Sequence, residues 1–330
     1  MNLESLRKKR VKRLGIRAAG HSGQRRIFFI LDRATRKFHG DLNLWIQYIE
    51  YARKQKAHKK LTMIFTDALR LHPKSAELWI YAAKAVLDDH ADMTQARSYM
   101  QRGLRFCKSA RVLWIQYAKL ELIYMAKLIA RQRILGLDQA GQQSKPVDGT
   151  EAVDPDADMI ALPQITEEDI APTDGDEEGV EQAVQNLNST PALSGAIVLA
   201  IFDAAMKHFD NDDRFGLEFY AMASEFHETP NMRNILGHVV ENMQTHKPTS
   251  FRTRICYIQF PIAGISVTSP EFPRALGSAL ARLKESQPLS GDLAREVVTW
   301  LQPLAEQEEL DPALKKVIES TVRNAQRVPQ

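Results

Sequence analysis

Three stretches of the chain repeat one pattern of apolar and polar positions at a nearly constant interval. Leu-Trp-Ile recurs in "LNLWIQYIEY", "AELWIYAAKA" and "RVLWIQYAKL", which sets Trp45, Trp79 and Trp114 apart by 34 and then 35 residues. The apolar positions upstream recur with them. Eighteen residues before each tryptophan stand Ile27, Leu61 and Ala96, and fifteen before stand Ile30, Ile64 and Tyr99. Fourteen before come Leu31, Phe65 and Met100, and eleven before come the small residues Ala34, Ala68 and Gly103. These offsets form an i, i+3, i+4, i+7 series, the apolar stripe of one helix. The small residue closing the stripe lets a neighbouring helix come close. Each tryptophan then opens a second helix, with Trp45, Tyr48, Ile49 and Ala52 on one face of the first and Trp114, Tyr117, Ala118 and Leu122 on one face of the third. Gly40 with Asp41, and Pro73 with Ser75, supply the turns between the two helices, Asp41 and Ser75 as candidate N-caps.

A helix pair of this size cannot bury its stripe alone, and stacking on neighbouring pairs completes the core. The pattern therefore predicts an all-α fold, a right-handed α-solenoid of helix–turn–helix repeats. Trp45, Trp79 and Trp114, with Ala34, Ala68 and Gly103, are its expected repeat core. Base-stacking by the tryptophans is the lesser alternative. Arg36, Arg70 and Arg105, nine residues before each tryptophan, are expected to make hydrogen bonds or ion pairs within their repeats. A ladder of arginines along a peptide or RNA groove is the other reading.

The pattern stops after residue 137. Residues 138–190 carry 14 Asp/Glu against the single Lys145, which predicts an acidic disordered linker. Contact with a basic partner, or mimicry of RNA, is the functional alternative. The stripe then returns: Ile201, Phe202 and Ala205 fall where Ile64, Phe65 and Ala68 fall. Counting on from Ala205 reaches Gly216, between Phe215 and Phe219, in place of a tryptophan. A fifth unit turns at Pro248, a sixth follows, and "PALKKVIESTVRN" makes a last helix. Trp300 is off the interval and is expected as ordinary core. The resulting division is a basic N-terminal helix or tail over 1–23, three clear repeats over 24–137, the acidic linker over 138–190, and degenerate helical repeats over 191–330.

Composition narrows the function classes. The net charge of +3 conceals an asymmetry, because residues 1–60 hold 17 Lys/Arg against 4 Asp/Glu. No apolar run approaches the roughly 20 residues of a membrane span. Basic residues follow Met1 without an apolar segment behind them, so no signal peptide is expected. Two cysteines, Cys107 and Cys256, suggest a reducing compartment and lack histidines at ligand spacing. Asp88, Asp89 and His90 resemble metal ligands in composition only, at the expected end of a helix. No Walker loop, Gly-x-Gly-x-x-Gly, His-Glu-x-x-His or Gly-x-Ser-x-Gly is present. No catalytic residue, metal, cofactor or small-molecule substrate is therefore expected. An extended stack offers a long surface and little enclosed cavity, which suits scaffolding.

The units, with "ARSYMQRGLRF" as a partner helix, resemble the HAT (half-a-TPR) repeat family, whose usual form is Trp-x-x-Tyr-x-x-Phe/Leu-Glu followed by Ala-Arg-x-x-Tyr/Phe-x-Arg-Ala. The resemblance narrows further. Residues 71–137, including "AKLIARQRILGL", are similar to the repeat segment of the U3 small nucleolar RNA-associated protein 6 family. "TPALSGAIVLAIFDAAMKHF" resembles that family's segment after its acidic linker, and "LRKKRVKRLGIR" its basic stretch before the first repeat. Together these cover 99 of the 330 residues, in the same order. Family members carry a longer segment ahead of the basic stretch, and the last third matches less clearly.

The resemblance implies a non-enzymatic scaffold subunit of the small-subunit processome, a ribonucleoprotein of the nucleolus. It implies membership of the UtpB subcomplex, β-propeller proteins as partners, direct or indirect association with U3 small nucleolar RNA and pre-ribosomal RNA, and a role in maturing 18S rRNA and the 40S ribosomal subunit. A HAT scaffold of pre-mRNA splicing or 3′-end formation is an alternative. So is direct RNA binding through the cations Arg7, Lys8, Lys9, Arg10, Lys12, Arg13 and Arg17, which can contact phosphate or an acidic partner. A solvated face or a nuclear-import signal is the plainer reading of the same cations.

Overall fold

In a computed structural model the described residues are 6, 9, 10, 12, 13, 21–134, 194–227, 229, 231–307 and 310–327. Among them the regular structure is helical and contains no strand, as an all-α repeat array requires. Cα packing divides the chain into two compact units, Met1–Leu113 and Trp114–Gln330. The boundary falls inside one long helix; the expected divisions at 137 and 190 lie outside the described residues.

The first unit begins with α1 (His21–Lys37), α2 (Leu42–Lys54), α3 (His58–Leu71), α4 (Ala76–His90) and α5 (Met93–Phe106), each packed on the next. The start of α6 (Arg111–Ile134) completes it. The helix starts are chemically marked. Asp41 accepts a hydrogen bond from the Asn43 amide, and Asp92 accepts one from Gln95. Ser75 occupies the expected N-cap position of α4, but its hydroxyl makes no capping bond. Leu61, Ile64, Phe65, Ala68 and Leu69 form the buried stripe of α3, and Ala96, Tyr99, Met100 and Gly103 that of α5.

The first repeat departs from this pattern. Of its expected stripe only Leu31 is buried; Ile27 and Ala34 are half-buried, and Ile30 is 52% exposed. Phe28 and Thr35 are buried instead. In α3 and α5 the second helix of the preceding repeat covers the missing arc. Among the described residues no helix does so for α1.

The second unit holds the remainder of α6, then α7 (Ala196–His208), α8 (Asp213–Ser224), α9 (Met232–His246) and α10 (Phe251–Gln259). A 3-10 turn at Phe260–Ile262, α11 (Phe272–Glu285), α12 (Gly291–Ala305) and α13 (Pro312–Gln326) follow. Helices here pack on the next and on the next but one, as in α8, α10 and α12, which is how stacked helix pairs share one core. Ile201, Phe202, Ala205, Phe215 and Phe219 are all fully enclosed, at the positions the repeat pattern indicates. Gly216 has no room for a side chain: a Cβ there would lie 2.6 Å from Met243 Sδ. Pro248 stands in the turn before α10, and Trp300 is half-buried on α12.

Candidate interaction surfaces

The tryptophans serve two purposes in the first unit. Their rings are buried, and their indole N–H groups each find a carbonyl in the turn six residues back. Trp45 Nε1 donates to His39 O at 3.0 Å, and Trp79 Nε1 donates to Pro73 O at 2.9 Å. The following repeat uses the same carbonyls. His72 Nε2 lies 2.8 Å from His39 O, so that nitrogen carries the hydrogen, and Cys107 Sγ donates to Pro73 O at 3.4 Å. His72 and Cys107 each precede the next tryptophan by seven residues. Each turn is thus tied to the turn of the repeat after it. That register was present in the sequence, but nothing in residue type identified a histidine and a cysteine as equivalents.

Gly103 lies directly against Trp79; a Cβ on it would stand 2.9 Å from Trp79 Cγ and 3.2 Å from Leu113 Cδ2. The indole of one repeat therefore rests on the small residue of the helix that follows. In the second unit Trp114 is half-buried, with its ring 6.2 Å from His208 and 6.5 Å from Phe209. Lys119 pairs with Glu225 at 2.6 Å in the same unit. The α6 residues of this unit thus meet the helices after residue 194 although 135–193 intervene.

A cleft of about 470 Å³ opens between α1, α2 and α3. Trp45, Tyr48 and Ile64 line its floor, with Asp32, Arg36, Lys60, Asp67 and Arg70 around it. Burial, and to a lesser degree the charge of Asp32, push the Tyr48 hydroxyl up to about 12. Arg36 is held by Asp32 at 2.9 Å, one turn back on the same helix. Lys60 lies over the Phe28 ring at 4.4 Å. These groups can bind a charged or aromatic side chain.

Asp89, at the end of α4, is clamped by Arg53 of α2 through bonds of 2.8 and 2.9 Å. The hydrogen bond from Arg53 holds its carboxyl below the usual range. Asp89 is thus an inter-repeat ion-pair partner, and among the described residues no three metal-ligating side chains converge. Both thiols are shifted upward by burial, Cys256 strongly, which opposes thiolate formation. Of the basic N-terminal residues, Lys9, Arg10, Lys12 and Arg13 are helical and exposed. Arg7, Lys8 and Arg17 lie outside the described residues, as does the acidic segment 138–190. Among the described residues no helix is long and apolar enough to cross a membrane.

Comparison with known proteins locates the chain. No family model matches it. U3 small nucleolar RNA-associated protein 6 of Schizosaccharomyces pombe is 40% identical over 179 residues, covering 51% of this chain and 36% of that protein. The chain is similar to U3 small nucleolar RNA-associated protein 6. The Dictyostelium discoideum homolog of that protein is 26% identical over 243 residues, 71% of this chain and 38% of its own. The Homo sapiens homolog is 31% identical over 103 residues, 31% of this chain and 17% of its own. The chain therefore spans less than two-fifths of the length of these relatives of the U3 small nucleolar RNA-associated protein 6 family.

Proposed function

We propose that this chain is a non-catalytic scaffold in a U3 small nucleolar RNA-associated assembly of the nucleolus. Within the small-subunit processome it belongs to the UtpB subcomplex, docks β-propeller partners on its repeat surfaces, and supports processing of pre-18S rRNA. The observation carrying this reading is the 40% identity to the fission-yeast protein named for its association with that RNA. The helical array supports it independently. Stacked pairs expose long faces to which several proteins can attach at once. Burial opposes ionisation of the Tyr48 phenol and the Cys107 thiol, and Asp32 is ion-paired with Arg36, which suits binding rather than reaction.

The test is co-purification followed by depletion. Tagged chain should recover U3 small nucleolar RNA and pre-ribosomal RNA, and its loss should raise unprocessed small-subunit precursors. Recovery of spliceosomal RNAs or of cleavage factors, with rRNA processing intact, would move the chain to pre-mRNA processing instead.

A second reading, direct RNA binding, rests on the exposed helical cations Lys9, Arg10, Lys12 and Arg13. Phosphate contacts release counterions, so affinity must fall steeply with salt. Filter binding across a salt series, repeated with those four residues changed to Ala, decides it. Binding that ignores both salt and the substitutions removes the reading.

A further inference from the structure

α1 carries an acceptor face that the later repeats fill and that no helix covers among the described residues. At one offset in the repeat, Ile64 of α3 is 4% exposed and Tyr99 of α5 is 7% exposed, whereas Ile30 of α1 is 52% exposed. In α5 the covering element is the second helix of the preceding repeat. Its Trp79 rests on Gly103, and the two rings of Trp79 and Tyr99 are 6.5 Å apart. The same joint on α1 is formed by Ile27, Ile30 and Ala34, with Ala34 in the place of Gly103. Phe29 beside it is 64% exposed. An apolar surface of this kind on an otherwise polar helix marks a binding face.

The margin of the joint is cationic. Arg26, Phe29, Ile30, Arg33 and Lys37 follow one another at i, i+3, i+4, i+7 and i+11, and all five are exposed. Arg36 has Asp32 beside it, but Arg25, Arg26 and Arg33 have no acidic partner among the described residues. Residues 1–113 hold 25 Lys/Arg against 9 Asp/Glu, so the first unit has few carboxylates of its own to cover them.

We propose that this face of α1 docks an amphipathic helix of a partner protein, with apolar side chains against Ile27, Ile30 and Ala34 and Asp or Glu along its edge. The joint has the shape that a helix fills in the next two repeats, so a helix is the occupant that completes the stripe. Acidic residues follow from the uncompensated arginines. RNA phosphates would satisfy the arginines but leave Ile30 and Ala34 uncovered, which disfavours that occupant. This surface is distinct from the N-terminal cations and does not depend on the processome reading.

Fluorescence anisotropy on the full chain tests it with three probes. The first is a synthetic peptide of about five helical turns, with leucines and one central tryptophan on one face and glutamates at its flanks. The second replaces each glutamate by lysine, and the third is single-stranded oligouridine. The glutamate peptide should bind and the lysine peptide should not. Ile30→Asp should weaken binding roughly ten-fold, as truncating an interface anchor does. Ala34→Trp should also weaken it, by filling the acceptor. Arg26→Glu with Arg33→Glu should transfer preference to the lysine peptide; these exposed residues can change without unfolding the chain, which circular dichroism verifies. Equal binding of the two peptides, or indifference to Ile30→Asp, overturns the proposal. So does oligouridine binding that Ile30→Asp abolishes. Glutamate-peptide binding seen only after removal of residues 1–20 would also overturn it, because the chain's own segment would then be the occupant.

Discussion

Gly103 touches the Trp79 indole so closely that a Cβ on Gly103 would lie 2.9 Å from Trp79 Cγ. The glycine is helical, where it costs about 1 kcal/mol relative to alanine in an open helix. Here the packing reverses that preference. Gly103→Ala should destabilise the first unit by about 1–3 kcal/mol, the usual range for overpacking. Urea denaturation followed by tryptophan fluorescence measures it. A neutral or stabilising result would mean that Trp79 moves aside freely.

Trp79 should depend on its hydrogen bond as well as its bulk. Trp79→Phe removes the donor to Pro73 O while the weaker Cys107 donor stays. A loss of about 1–3 kcal/mol is expected from the bond and the smaller ring together. Cys107→Ala should cost less, because a thiol is a weak donor. Equilibrium unfolding of both variants should preserve this order.

Arg53 and Asp89 join alternate helices through a two-bond pair, with roughly a third or less of each side chain exposed. Geometry of this kind exceeds an ordinary surface pair. A double-mutant cycle with Arg53→Ala and Asp89→Ala should return a coupling of about 1 kcal/mol that shrinks as salt is added. Zero coupling at low salt would make the pair decorative.

Asp213 predicts a pH dependence in the second unit. Burial opposes its ionisation, but hydrogen bonds from Ser250 and Arg252 and the charges of Arg252 and Lys247 outweigh it and hold the carboxyl at about 2. A carboxylate lowered on folding stabilises the native state above its unfolded value, about 3.9. That stability, about 2 kcal/mol, fades as pH falls through the window from about 4 to 2. Asp213→Asn should lower stability at neutral pH and flatten the profile in that window. A profile unchanged by the substitution would show that other carboxylates control acid unfolding.

Much of this protein was legible from local pattern. A 34-residue interval and an i, i+3, i+4, i+7 stripe identify helix pairs, because helical periodicity depends only on neighbouring residues. The degenerate repeat at Ile201, Phe202 and Ala205 was readable for the same reason, even with Phe215 and Gly216 standing where a tryptophan had been.

Tertiary structure decided the rest. Asp89 looked like part of a polar cluster until α2 brought Arg53 to it from 36 residues away. The sharing of one turn carbonyl by Trp79 and Cys107 likewise depends on how consecutive pairs stack. Ile30 satisfies the stripe as well as Ile64 does, yet it is exposed, because burial requires a neighbour and among the described residues no helix covers it. Periodicity determines which face of a helix is apolar; only the assembled stack determines whether that face is covered.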